Sequence, residues 1–125
     1  MMIIKQLIKS DPFFIISRSL ENNQWTPVIK SEAIMKTLDP KWKPFVTSVQ
    51  NLCNGDYDRP LLFDCYDWNR SGTHELIGSF KTTLKELLDT KGEKREYELF
   101  DMKKNKKKNS GYIQVVQCNL IKSFT

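Results

Sequence analysis

Near the middle of the chain stands the run Leu61-Leu62-Phe63-Asp64-Cys65-Tyr66. Successive side chains of a β-strand point to opposite faces, so Leu61, Phe63 and Cys65 would share one face while the alternate residues take the other. The first set is apolar throughout. The alternation therefore predicts a strand whose first face lies in a hydrophobic core.

Similar short runs, rich in aromatic and β-branched residues and bounded by Pro, Gly, Asn or Asp, recur on both sides of it. With the central run they are Phe13 to Ser17, Trp25 to Ile29, Phe45 to Val49, Leu61 to Tyr66, Leu76 to Phe80, Tyr97 to Phe100 and Tyr112 to Cys118. Seven short strands at this spacing predict an all-β fold, an antiparallel β-sandwich. The segment Met1 to Ile8 would add an eighth strand only if it is extended, and it is short for that purpose.

One segment has helical rather than strand spacing. Between Thr82 and Leu88, the apolar residues Leu84, Leu87 and Leu88 fall on one helical face, and the preceding threonines are residues that can cap a helix. The sequence therefore predicts one short helix inside an otherwise all-β chain of 125 residues, which is enough for a single domain.

The positive charge of the chain is local. Twenty Lys and Arg against 15 Asp and Glu give a net charge of +5, and the run Lys103-Lys104-Asn105-Lys106-Lys107-Lys108 holds five lysines, so the remainder is neutral. One cationic cluster on a neutral body indicates an anionic surface that is met at one place. A solvated loop is the alternative. No aromatic residue is interleaved with the lysines to stack bases, so we expect no nucleic-acid partner.

The cysteines and the apolar segments of the sequence indicate the cellular compartment of the protein. Three cysteines without a CxxC pair, in a chain that needs no covalent bridges, predict reduced thiols and a cytoplasmic protein. No apolar run approaches the roughly 20 residues of a membrane span, and Met1 to Ile8 is too short and too interrupted for a signal peptide. Any contact with a membrane would therefore be peripheral.

Catalysis has little support in the sequence. His74 is the sole imidazole and lies in the loop-like stretch Ser71 to Glu75, where we expect an exposed loop histidine. No Ser-His-Asp or Cys-His arrangement can be assigned, and no phosphate-binding, dinucleotide or HExxH motif is present. We predict that the protein is not an enzyme and has no catalytic residue.

Oxygen-bearing side chains cluster at the predicted strand ends. Asp11 precedes one strand, and Asp67, Asn69, Ser71 and Glu75 lie between two others. Calcium takes six to eight oxygen ligands, which two loops at one end of a sandwich can supply. Ordinary turn chemistry is the alternative, because Asp, Asn and Ser dominate turns.

Four motifs, in order, carry a resemblance to a known family. They are Ser10-Asp11-Pro12-Phe13, Asp39-Pro40-Lys41-Trp42-Lys43-Pro44-Phe45, Cys65-Tyr66-Asp67-Trp68-Asn69 and His74-Glu75-Leu76-Ile77-Gly78. Their order and spacing resemble the second C2 domain of copines, and the lysine-rich loop before the last strand belongs to that pattern. The resemblance implies a Greek-key β-sandwich whose loops bind calcium and then anionic phospholipid. It predicts one C2 domain over residues 1–125, with a first strand that is short or missing.

The resemblance also assigns metal ligands residue by residue. Asp11 and Asp67 match aspartates of the family site, whereas Asn69 and Glu75 stand where the family has aspartate, and Lys5 falls near the position of a fifth. The site thereby loses most of its negative charge. We expect calcium binding to be weak or absent, and the Lys5 ammonium is a candidate to sit in place of the cation.

Two groups of residues are candidates for lipid contact. Trp68 and Arg70 lie at the tip of the predicted calcium loop, where an aromatic ring beside a cation suits the membrane interface. Packing of Trp68 against its own loop is the alternative. The second group is the lysine run, which includes Lys103, Lys104, Lys106, Lys107 and Lys108.

The sequence thus predicts a monomeric, cytoplasmic C2 module that binds anionic phospholipid reversibly at the plasma or endosomal membrane. Calcium is the implied cofactor, weakly bound or absent. Two alternatives stay open. The domain could instead recognise a protein partner through an exposed strand edge, as β-augmentation does. It could also be a non-functional truncated paralogue.

Overall fold

The structure is a computed structural model that describes residues 2–6, 11–35, 40–89, 95–100 and 109–121. Within these ranges the chain forms seven strands and two short helices. The strands are β1 (Met2–Gln6), β2 (Pro12–Ser19), β3 (Trp25–Lys30), β4 (Leu61–Asp67), β5 (Glu75–Thr82), β6 (Arg95–Phe100) and β7 (Asn109–Val115). The helices are α1 (Val49–Cys53), between β3 and β4, and α2 (Leu84–Leu88), between β5 and β6.

The strands hydrogen-bond in the order β1-β7-β6-β5-β4-β2-β3, and every pair is antiparallel. Strands β5 and β6 are joined by one residue pair, Ser79 with Phe100. The sheet divides at this narrow join into a four-stranded part (β5, β4, β2, β3) and a three-stranded part (β1, β7, β6). Buried side chains from both parts form one core cluster, so the antiparallel sandwich predicted from the sequence is confirmed.

The central strand behaves as its alternation predicts. In β4, Leu61, Phe63 and Cys65 are buried in the core, and the residues between them are partly exposed. Phe63 stacks on Phe80 of β5 with ring centroids 4.6 Å apart, and Phe80 stacks on Tyr97 of β6 at 4.3 Å. This line of rings crosses from the four-stranded part to the three-stranded part, and aromatic pairs stabilise a core beyond their buried area alone.

The predicted strand from Phe45 to Val49 is wrong. The chain is irregular as far as Ser48, whose hydroxyl accepts a hydrogen bond from the Asn51 N–H (3.0 Å), and helix α1 begins at Val49. Ser48 is therefore an N-cap, which offers the backbone an alternative to a sheet ladder. Phe45 stays 47% exposed and Val46 83% exposed, so these apolar residues do not form a core-facing strand.

The predicted helix is confirmed as α2. It begins at Leu84, after Thr83, whose hydroxyl accepts the Glu86 N–H at 3.1 Å, and it buries Leu84 and Leu87. The threonine cap expected from the sequence is thus present.

The first strand is short rather than missing. Strand β1 pairs along its five residues with β7, from Met2 opposite Val115 to Gln6 opposite Gly111. The backbone of Lys5 lies opposite Tyr112 in this ladder, and its side chain lies outside what the structure describes. Because β1 covers β7, the strand edge that a missing first strand would have exposed on β7 is occupied.

Candidate functional site

The two predicted ligands Asp11 and Asp67 lie together at one end of the sandwich. Strand β2 begins at Pro12 and β4 ends at Asp67, and the antiparallel register sets these two residues opposite each other. The Asp11 N–H donates to Asp67 Oδ1 at 2.9 Å, and the Trp68 N–H donates to the Asp11 carbonyl at 2.9 Å. The antiparallel register therefore brings these two predicted ligands together.

The loop from Trp68 to His74 follows β4. We call this loop, together with Asp11, Asp67 and Glu75, the loop end. Asn69 Oδ1 accepts the Ser71 N–H at 3.1 Å, and the Gly72 N–H donates to the Asn69 carbonyl at 3.0 Å. Glu75 opens β5 opposite Asp67, and its side chain is exposed. All four predicted metal ligands thus lie in or beside one loop.

These ligands do not form a ready metal site. Across the described ranges, no group of three or more His, Cys, Asp or Glu side chains is placed to hold a metal ion. One oxygen of Asp67 and the side-chain oxygen of Asn69 already accept backbone N–H groups of the loop end. Each of these oxygens keeps a second lone pair, so the hydrogen bonds alone do not exclude a cation. The donor set is instead short of negative charge, because Asn69 is neutral, and weak or absent calcium binding stays a prediction.

His74 is not the exposed loop residue that the sequence suggested. It is half-buried, and its Nδ1 accepts the Asn69 N–H at 2.9 Å. Its ring meets Phe13 edge to face, with centroids 5.0 Å apart, and lies 6.3 Å from the ring of Trp68. His74 fastens the loop to the sheet. Sequence reasoning missed this positioning role because no motif marks a histidine that accepts from its own loop.

Phe13 anchors the root of the loop end on the outer face of the four-stranded part. Although it does not join the core cluster, it is only 3% exposed. Tyr66 stacks on it at 5.5 Å, and the Lys30 Nζ lies 5.3 Å from its ring centroid. Burial raises the pKa of Tyr66, and the nearby charge of Asp64 raises it further. The base of the loop therefore packs on aromatic rings rather than forming a polar turn.

The tip of the loop carries the two residues expected to contact lipid. Trp68 is 38% exposed, with His74 beneath its ring, and Arg70 is exposed. Trp68 is thus partly packed and partly presented to solvent, and its contact with lipid stays a prediction. The lysines Lys103, Lys104, Lys106, Lys107 and Lys108 lie outside the described residues.

Comparison with known proteins agrees with this geometry. A family model described as "C2 domain" matches residues 4–99. The chain belongs to the C2 domain family. C2 domains are generally non-catalytic modules that bind lipids, calcium or proteins. None of the helices in the described part of this C2 domain is long and apolar enough to cross a membrane.

Solved structures resemble this C2 domain over most of its length. A structure described as "BON1-C2B" is 30% identical with a TM-score of 0.69, and the match covers 90% of this chain and 81% of that one. A C2 domain of plant Extended Synaptotagmin 1 is 21% identical with a TM-score of 0.57, and 90% of each chain is covered. The second likeness concerns the fold alone.

Proposed function

We propose that this C2 domain is a peripheral phospholipid-binding module, similar to the second C2 domain of copines, that meets an anionic membrane with its loop end. The observation that carries the proposal is the placement of Trp68 and Arg70 at the tip of a loop whose base is fixed by Asp11, Asp67 and His74. An indole can sit at headgroup depth while the guanidinium meets phosphate. A loop fixed in advance loses less entropy when it binds.

The proposed contact does not depend on calcium. Backbone N–H groups bond to the side-chain oxygens of Asp67 and Asn69 and hold the loop end in shape, and the Asn69 position carries no charge. The loop end therefore keeps its shape through its own hydrogen bonds. The lysine run supplies the remaining attraction, since basic residues near an anionic leaflet contribute about 1 kcal/mol each before screening. The domain would act as a cytoplasmic monomer that visits the plasma or endosomal membrane.

Sedimentation with phosphatidylserine vesicles, with calcium or with a chelator, tests this function. We expect the wild type to pellet equally in both conditions and to be released by salt, since screening weakens charge attraction. The variant Trp68→Ala/Arg70→Ala should lose most binding. A matched control, Phe45→Ala/Lys41→Ala, removes one exposed aromatic ring and one exposed cation elsewhere on the surface and should pellet like the wild type.

A third variant separates the lysine run from the loop. Replacement of its five lysines by Gln should reduce binding and its salt dependence without altering the fold, because the change keeps polar side chains. Calcium-dependent pelleting of the wild type would contradict the closed, cation-independent loop end. Unchanged pelleting of the Trp68→Ala/Arg70→Ala variant would contradict contact through the loop.

A further inference from the structure

A cleft lies at the end of the sandwich opposite the loop end, and two arginines line it. Arg18 is near the end of β2, whereas Asp11 precedes its start, and the eight residues of β2 span about 23 Å at 3.3 Å per residue. The cleft has a volume of about 420 Å³ and is lined by Arg18, Leu20, Glu21, Asn22, Asn54 and Arg59. It is open to solvent, and we call it the arginine cleft.

Backbone carbonyls hold both guanidinium groups in place. Arg18 Nη1 donates to the carbonyls of Gln50 (3.2 Å) and Asn51 (2.8 Å) in α1, and Arg59 Nη1 donates to the Ser19 carbonyl at 3.0 Å. Each guanidinium has five N–H donors, so several remain after these bonds. The two positive groups are thus fixed at the cleft before any ligand arrives.

Neither arginine is neutralised by an acidic partner. The ion pair found among the described residues joins Arg95 to Glu86, and no carboxylate there lies within 4.0 Å of Arg18 or Arg59. The Nε of Arg59 is buried and, like that of Arg95, has no hydrogen-bond partner in the described part of the chain, so a ligand in the cleft would meet the Nη donors.

The asparagines of the cleft add donors rather than acceptors. The side-chain oxygen of Asn22 accepts the Gln24 N–H at 3.4 Å, and that of Asn54 accepts from the Gln50 side-chain amide. Their NH₂ groups therefore remain as donors beside the arginines. Glu21 is the acidic side chain of the lining. The lining therefore carries two positive guanidinium groups against one negative carboxylate, and its two amides are neutral.

We propose that the arginine cleft binds a phosphate monoester. The dianion offers oxygens on several sides, and guanidinium groups bind phosphate through paired N–H donors. The phosphate can come from a soluble ester or from a lipid headgroup with the same chemistry. The site is independent of the proposed membrane contact, because about 23 Å of β2 separates the two ends.

Nuclear magnetic resonance of the arginine Nε–H groups tests the proposal on the whole chain in the presence of a chelator. The probes are inorganic phosphate and glycerol 3-phosphate. We expect saturable shifts of the Arg18 and Arg59 signals with either probe. The variant Asn22→Asp keeps an oxygen that accepts from Gln24 and adds a negative charge to the cleft, so it should weaken binding by roughly tenfold or more. The matched control Gln117→Glu makes the same change from amide to carboxylate at an exposed residue that does not line the cleft, and it should leave the affinity unchanged.

Vesicles distinguish the two sources of the phosphate. Vesicles of phosphatidic acid in phosphatidylcholine carry the glycerol phosphate group on a membrane. Pelleting that Asn22→Asp reduces would assign the cleft to a lipid headgroup, whereas binding of the soluble ester with pelleting unaffected by Asn22→Asp would assign it to a soluble ligand. Absence of saturable shifts at millimolar phosphate and glycerol 3-phosphate would overturn the proposal. Equal affinity of Asn22→Asp and the wild type would overturn it as well.

Discussion

Where β5 meets β6, the two parts of the sandwich come closest at a residue without a side chain. Gly78 of β5 lies opposite Cys65 of β4 and next to Ser79, whose pairing with Phe100 joins β5 to β6. A Cβ added at Gly78 would lie 2.8 Å from the Leu99 Cβ and 3.0 Å from the Leu99 carbonyl carbon. Carbon atoms pack best at about 3.5–4.0 Å, so substitution by Ala requires a shift of roughly 1 Å.

The neighbouring atoms cannot move aside cheaply, because both belong to the backbone or its first side-chain carbon. Overpacking of this kind costs about 1–3 kcal/mol. Removal of a glycine from a strand interior would by itself stabilise the fold by about 0.5–1 kcal/mol. The contact term is the larger, so we expect Gly78→Ala to lower the free energy of unfolding by about 1–2 kcal/mol. For a chain of this size that corresponds to a Tm about 4–8 °C lower.

Urea titration followed by tryptophan fluorescence, together with thermal denaturation followed by circular dichroism, measures both quantities. The slope of the urea transition should stay unchanged, since the variant exposes the same surface on unfolding. Gly72→Ala is a comparison at a residue with no other atom within 4 Å of the added carbon, where the positive φ of 87° is the sole source of cost. A Gly78→Ala variant that melts at or above the wild-type temperature would refute the close approach of Gly78 and Leu99.

Two further predictions concern Cys65 and His74. Burial, together with nearby carboxylates, raises the pKa of the Cys65 thiol far above its usual range. The folded state therefore keeps a proton that the unfolded state loses above about pH 9, so the free energy of unfolding should fall as pH rises past that point. In urea titrations, Cys65→Ala should reduce this fall by about 1.4 kcal/mol per pH unit. A pH dependence that is equal in both proteins would contradict this. His74→Ala removes the acceptor of the Asn69 N–H and should weaken vesicle binding roughly three- to tenfold, the range of one lost hydrogen bond. His74→Asn retains an acceptor oxygen and should bind more tightly than His74→Ala.

Local patterns predicted the parts of the fold that follow a regular period. The alternation in β4 identified its buried face correctly, and the spacing of leucines together with Thr83 identified α2. Each of these segments contains its own signal, because a strand repeats every two residues and a helix about every 3.6. Tertiary contacts there reinforce the local preference.

The segment before α1 shows where local reasoning failed. Phe45 and Val46 have side chains that favour strands, yet Ser48, two residues after Val46, caps a helix with its hydroxyl. Helix α1 is then tied to the sheet by Arg18, which is 32 and 33 residues away from the carbonyls it binds. No window of neighbouring residues contains that information, so the strand prediction rested on propensity alone.

The candidate site was predicted in its composition but not in its bonding. Sequence spacing placed Asp11, Asp67, Asn69 and Glu75 at one end of the molecule, and the fold brings them there. The hydrogen bonds that the Asp67 and Asn69 side chains accept come from backbone N–H groups, which almost every residue has and no motif records. His74 was underestimated for the same reason, since its acceptor role depends on the shape of the loop.

The strand edges bear on the alternative of a protein-interaction module. The β7 edge on which that alternative was based is covered by β1. The edge strand β3 contains Pro27, which has no N–H, and the Asn51 amide donates to the Val28 carbonyl at 3.5 Å. Both features protect β3 against the addition of a further strand. Among the described residues, β1 is the other edge strand of the sheet, and β7 is its hydrogen-bonded neighbour. A partner strand would therefore have to add at β1, on the three-stranded part, whereas Trp68 and Arg70 extend from the four-stranded part. Strand addition would involve β1, whereas the proposed lipid contact would involve the loop end, which makes the two functions separable by mutation.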